Sequence, residues 1–379
     1  MPDLCTDLAG GIALCPSPPH RGVLGLVRAA AGIPAGGPLT QDLAASDPAD
    51  LLRIAVQSCA HVVIASGFER APDLAAALPR DLTIVFHELG AANLTRNAAI
   101  REQLAVLGGV LHRAGLRGVV LKGAAELLDP LFPNPAFRFL SDVDLLLTEA
   151  EAGAAFAALT GAGAIPRDDA ARPGHHHLAP LYHPDWPVPV ELHKRLGPVR
   201  HAAHLTAALH ETARDAALPG LALPTPPHRL AHAVLHAQLP WRQRMGEFSL
   251  RDALEFELLT RALAPAEVAE ARALFTAGNP LSKDAPWEAL DAARCLVFGQ
   301  TAGIDALPPP ARRWAEKALT RFGQPRRRRL ARLGWDLGRY GHDFLRDPDR
   351  RRHFLSQLAS PGGLRRALAA RRDRTRRLP

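Results

Sequence analysis

The chain has 379 residues, of which 47% are hydrophobic and 5% aromatic, and its formal net charge is +8. This length predicts two domains and a tail, and the low aromatic content argues against a protein that reads nucleic acid by stacking. No apolar run reaches the roughly 18 residues of a membrane span, and the four cysteines form no CxxC pair. We therefore expect a cytoplasmic protein without membrane contact.

Composition divides the chain into five segments. A Gly- and Pro-rich lead-in, either loosely ordered or made of short helices, precedes helices with apolar residues at three- and four-residue spacing. A core with short strands follows, then a region that is helical to about residue 320, then an arginine-rich tail. The expected boundaries are 1–47, 48–115, 116–201, 202–320 and 321–379.

The first informative segment joins a strand to a helix. Leu116–Leu121 is apolar and β-branched, which predicts a buried strand, and Lys122-Gly123 leads directly into a helical pattern. Free backbone N–H groups and a lysine ammonium at such a turn can bind a phosphate. A plain strand-to-helix turn explains these residues better when they are taken alone, because one glycine is a weak signal.

Two carboxylates separated by one apolar residue form the second segment. Asp142 and Asp144 share one face of a predicted strand because strand side chains alternate, and we expect that face to be exposed. A divalent cation relieves the repulsion between such acids, and Mg²⁺ prefers carboxylate oxygens. Two solvated aspartates at a strand edge are the alternative.

Glu191 and His193 form the third segment. They lie on the polar face of a strand predicted from Val188 onward, whereas the alternate residues are apolar. A third carboxylate on a neighbouring strand is what a metal site begun by two aspartates requires. A solvated glutamate is the alternative.

Two groups of histidines accompany these acids. His228, His232 and His236 recur every four residues on a predicted helix, and His175–His177 precede a strand. Both groups are compatible with zinc, but structural zinc usually has four converging ligands and no cysteine is near. Polar positions that face a cleft or an adjoining helix explain the first group better, and a solvated loop explains the second.

The tail concentrates the positive charge. From residue 325 onward there are 17 arginines and five aspartates, so the tail carries +12 and the rest of the chain about −4. Such a segment is typical of a solvated end, and contact with RNA, DNA or an acidic partner is the functional alternative.

Taken together, the three segments resemble the uncharacterised bacterial nucleotidyltransferase family of the DNA polymerase β-like superfamily. The resemblance covers about residues 50–260, including the helical stretches 230–237 and 250–254. It implies an α+β fold, in which a polymerase β-like core with a small mixed sheet has helices on one side. N-terminal helices and a C-terminal helical domain flank this core.

The resemblance also implies a two-metal phosphoryl-transfer site that uses Mg²⁺ or Mn²⁺. The turn lacks the hydroxyl residue that is usual in the wider superfamily, because Ala124 follows the glycine. The implied site residues are Asp142, Asp144 and Glu191 for catalysis and metal binding, Lys122 and Gly123 for nucleotide binding, and His193 for orienting Glu191 or contacting the acceptor.

The implied reaction moves a nucleoside monophosphate from an NTP to a hydroxyl of an acceptor, and pyrophosphate leaves. The acceptor is a small molecule, a peptide or a protein. Two other classes remain open: a degenerate domain that binds nucleic acid or a partner through its arginine tail, and a metal hydrolase built on both histidine groups.

Overall fold

The structure is a computed structural model of the chain. It describes residues 10–34, 38–167, 175–197, 199–238, 246, 248–277, 285–299 and 306–324. The arginine-rich tail beyond residue 324 lies outside these ranges, and so do the predictions made for it. The described residues contain 15 helices, labelled α1–α15, and a sheet of seven strands, labelled β1–β7.

Six short helices and one long helix form the N-terminal part. The lead-in folds into short helices, and α2 packs tightly into the core, since Val23 and Leu24 are fully buried. The loosely ordered alternative is therefore wrong for α1–α3. The bounds are α1 Gly10–Ala13, α2 Pro18–Ala30, α3 Pro38–Ala44, α4 Pro48–Gln57, α5 Ile64–Arg70, α6 Pro72–Ala76 and α7 Arg80–Arg113.

The central sheet is mixed, with the strand order β3-β4-β5-β2-β1-β7-β6. β2 is parallel to β5 and β1 is parallel to β7, whereas the other pairs are antiparallel. The elements are β1 Gly118–Val120, α8 Lys122–Leu128, β2 Val143–Leu146, α9 Ala152–Gly161, β3 Ile165–Pro166, β4 Leu181–Tyr182, β5 Val190–His193, α10 Val199–Thr212, β6 Arg214–Asp215 and β7 Leu221–Leu223.

The last two strands correct the prediction that the chain is helical from about residue 202. β7 joins the sheet beside β1, and Gly220 makes the preceding turn possible with a φ of +74°. A Cβ at Gly220 would lie 2.3 Å from the carbonyl oxygen of Gly108 on α7, so only glycine fits this turn. The sheet thus extends beyond residue 201, and the domain boundaries stay a prediction.

Helices cover both faces of the sheet, which corrects the expectation of helices on one side. Val119 and Leu146 pack into a core shared with the N-terminal and C-terminal helices. Leu145 and Leu192 pack on the other face, against the second half of α7 and against α8 and α9. All four residues of β2 are consequently buried, as in strands covered on both faces.

Five helices complete the described chain. Ser249 caps α12, because its hydroxyl accepts a hydrogen bond from the N–H of Asp252. Within the described ranges, every helix is too short or too polar to cross a membrane. The bounds are α11 Pro226–Ala237, α12 Leu250–Ala262, α13 Pro265–Ala277, α14 Ala285–Phe298 and α15 Pro309–Phe322.

Candidate active site

The parallel pairing of β2 and β5 brings the predicted acids together. Asp144 lies opposite Glu191 in the register, and Leu146 lies opposite His193. Since alternate residues share a face, the side chains of Asp144, Glu191 and His193 lie on one side of the sheet. Their ligand atoms are within 4.8 Å of one another, a spacing that can hold a metal ion. Asp142, just before β2, lies outside this group.

Asp144 is the centre of an ionic network. Its Oδ1 accepts hydrogen bonds from Lys122 Nζ at 2.8 Å and from His193 Nε2 at 2.6 Å. Burial alone would raise the pKa of Asp144, but the two cationic partners outweigh it and hold that pKa well below its usual value. Asp144 is 2% exposed, so the predicted exposed acidic face is wrong, because helices cover this side of the sheet.

The other two acids have different electrostatic environments. Burial, with the nearby charge of Asp144, raises the pKa of Asp142 to about 6. Burial also opposes ionisation of Glu191, but hydrogen bonding to His193 outweighs it and lowers that pKa. His193 Nε2 is 3.6 Å from Glu191 Oε2, and the pKa of His193 is raised because its carboxylate partners outweigh its burial.

The strand-to-helix turn is built differently from the predicted glycine turn. Lys122, rather than Gly123, adopts the left-handed conformation, with a φ of +51°. Gly123 is buried under Arg138: a Cβ there would lie 2.5 Å from Arg138 Nε and 2.7 Å from its Cγ. Arg138 Nη1 donates a hydrogen bond to Glu255 Oε2 on α12, at 2.7 Å. The glycine therefore admits an arginine, and this arginine joins the turn to the C-terminal helices.

A second buried pair fixes α8 against α11. Glu126 accepts hydrogen bonds from the N–H groups of Leu131, at 3.0 Å, and Phe132, at 3.3 Å, and it pairs with Arg229. Arg229 also donates to the carbonyl oxygen of Asp129 at 2.7 Å. The helix that begins with Lys122 is thus held at both ends.

A cleft lies between α8, α11 and α12, beside Lys122. His232 and His236 line it, and His228 instead contacts Thr225 at 2.7 Å and Thr212 of α10 at 3.3 Å. The preferred interpretation of this row, polar positions facing a cleft or an adjoining helix, is confirmed. Burial, together with the charge of Lys122, lowers the pKa of His232 to about 3. The charged side chains that line the cleft are Lys122, Glu126, Arg138, Arg229 and Glu255.

The histidine triplet lies beside the acids and is not a solvated loop, so that preferred interpretation is wrong. His177 forms an antiparallel bridge with His193, and the N–H of Leu178 donates to the carbonyl oxygen of Leu192 at 2.9 Å. His177 Nε2 is 3.7 Å from Glu191 Oε2. Backbone pairing with β5 places the triplet beside Glu191, and the sequence periodicity did not reveal this pairing.

Comparison with known proteins decides the family. The sequence pattern of the family described as "Uncharacterised nucleotidyltransferase" matches residues 44–278, which is more than half of the chain. The chain belongs to this nucleotidyltransferase family. The match confirms the resemblance and the α+β fold class, and it spans β1, β2, β5 and the cleft. No curated protein matches the chain.

In this nucleotidyltransferase, polar residues of α7 position the segment that leads to the acids. Asn93 Nδ2 donates to the carbonyl oxygens of Ala136 and Arg138, at 2.8 and 3.1 Å. Asn97 Nδ2 likewise donates to Arg138, at 3.0 Å, and to Pro135, at 2.8 Å. Neither asparagine was predicted from the sequence. Buried amides four residues apart on an otherwise apolar helix face were the available signal.

Proposed function

We propose that the protein transfers a nucleoside monophosphate from an NTP to an acceptor hydroxyl, with Mg²⁺ or Mn²⁺ held by Asp142, Asp144 and Glu191. The observation that carries this proposal is that Asp144 and Glu191 lie opposite each other on paired strands, in a member of a nucleotidyltransferase family. Asp142 and Lys122 are close enough to interact electrostatically with both acids. When bound, the metal would neutralise the triphosphate and lower the pKa of the attacking hydroxyl.

The donor set fits a hard divalent cation. Carboxylate oxygens are the ligands that Mg²⁺ prefers, and Asp144 uses one oxygen, Oδ1, for both of its cationic partners. Lys122 and His193 place positive charge beside Asp144 in the absence of an ion.

Each remaining residue has a role in the proposed reaction. Lys122 supplies positive charge to the triphosphate, a positioning and electrostatic role, and Gly123 lets the turn pack closely. His193 orients Asp144 through its 2.6 Å contact. Glu191, with a lowered pKa, is ionised at neutral pH and accepts the proton of the acceptor hydroxyl. The acceptor is a small molecule, a peptide or a protein.

Release of pyrophosphate from each of the four NTPs, with Mg²⁺ or Mn²⁺, tests the proposal. Asp142→Asn should reduce turnover at least about 100-fold. Removing even a group that only hydrogen-bonds to a metal ligand lowers metal affinity or activity about 10–100-fold. Asp185→Asn is the matched control, because the Asp185 side chain is 88% exposed. Turnover that survives the double change Asp142→Asn and Asp144→Asn would refute the proposal.

The charge of the tail favours a second candidate function. We propose, as the alternative, a catalytically weak domain that binds nucleic acid or an acidic partner through the +12 segment from residue 325. Binding through phosphates weakens by orders of magnitude between low and moderate salt. The test compares the full chain with a chain ending at residue 324. Unchanged nucleic-acid binding by the shorter chain rules this alternative out.

A further inference from the structure

We infer that His175, His176 and His177 form, with Glu191, a second cation site that takes a borderline transition-metal ion such as Zn²⁺ or Co²⁺. The ligand atoms of the three imidazoles lie within 4.8 Å of one another, so one ion can contact all three rings. Imidazole nitrogen suits Zn²⁺ and Co²⁺, whereas Mg²⁺ prefers oxygen ligands. This site differs in its chemistry from the all-carboxylate site proposed above and shares only Glu191 with it.

The tautomer of His177 supports a metal ligand. Its Nδ1 is 2.7 Å from the carbonyl oxygen of Leu178, and a carbonyl only accepts, so Nδ1 carries the hydrogen. In the neutral ring, Nε2 therefore presents a lone pair, and it faces Glu191 Oε2 at 3.7 Å. An ion with bonds of about 2.0–2.2 Å can bridge this gap. A histidine whose other nitrogen donates to a backbone carbonyl is the usual arrangement of a metal ligand.

The backbone holds the triplet in place before any ion binds. The N–H groups of Lys194 and Arg195 both donate to the carbonyl oxygen of His176, at 2.8 and 3.3 Å. The bridge between His177 and His193 fixes the next residue. These contacts come from the end of β5, so the strand that carries Glu191 also positions the imidazoles. Such preorganisation favours binding because less chain entropy is lost.

The charges of the cluster favour a cation over a phosphate. A neutral imidazole offers a lone pair to a metal ion. The ring of His176 lies 5.6 Å from that of His193. Glu191 adds a negative charge beside His177. Neutral donors beside a carboxylate attract a metal ion and repel an anion.

Binding of Co²⁺ to the full chain, without nucleotide, tests the inference through the visible absorption of the bound ion. We expect His177→Ala to weaken Co²⁺ binding at least about tenfold. His175→Asn should have the same effect, and it provides a second test if His177→Ala folds poorly. His204→Ala is the control, since His204 is exposed on α10. An excess of Mg²⁺ should not displace the Co²⁺.

A second readout is thermal unfolding with Zn²⁺. A ligand that binds only the folded state raises the midpoint, so Zn²⁺ should stabilise the wild type and His204→Ala but not His177→Ala. Equal stabilisation of all three proteins would overturn the inference. Asp142→Asn should keep Co²⁺ binding while it loses NTP turnover. The failure of either proposal is therefore distinguishable from the failure of the other.

Discussion

Lys122 Nζ lies 2.8 Å from Asp144 Oδ1, and Lys122 makes this contact from a φ of +51°, a conformation that usually favours glycine. Burial alone would lower the pKa of Lys122, but the charges of Asp144 and Asp142 outweigh it and raise that pKa. The residue proposed to contact the triphosphate is therefore the same one that balances the acid. The same Lys122 ammonium group would therefore contact the nucleotide and pair with Asp144.

Lys122→Met tests this ion pair through the pH dependence of folding. The pKa of Asp144 is depressed in the folded protein, so its stabilising contribution is present above the unfolded value of about 3.9 and is lost as the pH falls through the folded value. Without Lys122 the folded pKa rises toward the unfolded value, so the acid-induced loss of stability should be smaller and should be complete at a higher pH.

Urea denaturation between about pH 3 and pH 7 measures this shift. Lys194→Met is the control, because Lys194 pairs with the exposed Glu149, at 3.8 Å. Identical pH profiles for the two variants would show that Lys122 does not depress the pKa of Asp144.

Asp142→Asn should stabilise the metal-free protein at neutral pH. The pKa of Asp142 is raised to about 6, so the folded state binds a proton more tightly than the unfolded state, and this group lowers stability as the pH rises from about 4 to above 6. Asparagine carries no charge, so the free energy of unfolding of the variant should exceed that of the wild type by about 1–3 kcal/mol at pH 8. Little difference is expected at pH 4.

The measurement is the free energy of unfolding at both pH values, in the presence of a chelator. Asp185→Asn should leave stability unchanged at each pH, since its side chain is 88% exposed. A gain that is equal at pH 4 and pH 8 would contradict the assigned cause.

Gly123→Ala should destabilise the protein by about 1–3 kcal/mol, because the new methyl group would overlap Arg138. In an Arg138→Ala background the same change should cost much less, since the obstructing side chain is gone. A double-mutant cycle measured by denaturation reports this coupling. Gly153→Ala is the control, because no atom lies within 4 Å of a Cβ at that position of α9. Additive effects would refute the steric explanation.

Asn97→Ala should lower both stability and NTP turnover. The change leaves the carbonyl oxygens of Pro135 and Arg138 without this donor, at a cost of about 1–3 kcal/mol, and it loosens the segment before Asp142. Thr95→Ala is the matched control on α7, since the Thr95 hydroxyl bonds only within its own helix. If turnover is unchanged under conditions in which the variant is fully folded, the segment does not depend on Asn97.

Much of the fold follows from local patterns. Apolar spacing predicted helices before the core, among them α7, because helix periodicity is a local property. β7 was missed because three residues carry too little periodicity to reveal a strand. Its pairing with β1, about 100 residues away, is a nonlocal contact.

For the site, the alternation of strand side chains was sufficient to place Asp144 apart from Leu145, and Glu191 together with His193, from sequence alone. Only the tertiary structure decided how deeply Asp144 is buried, that Arg138 occupies the space over Gly123, and that His175–His177 lie beside Glu191. The physical reason is that side-chain parity depends on neighbouring residues in the chain. Burial and ion pairing instead depend on which distant segments pack against a strand.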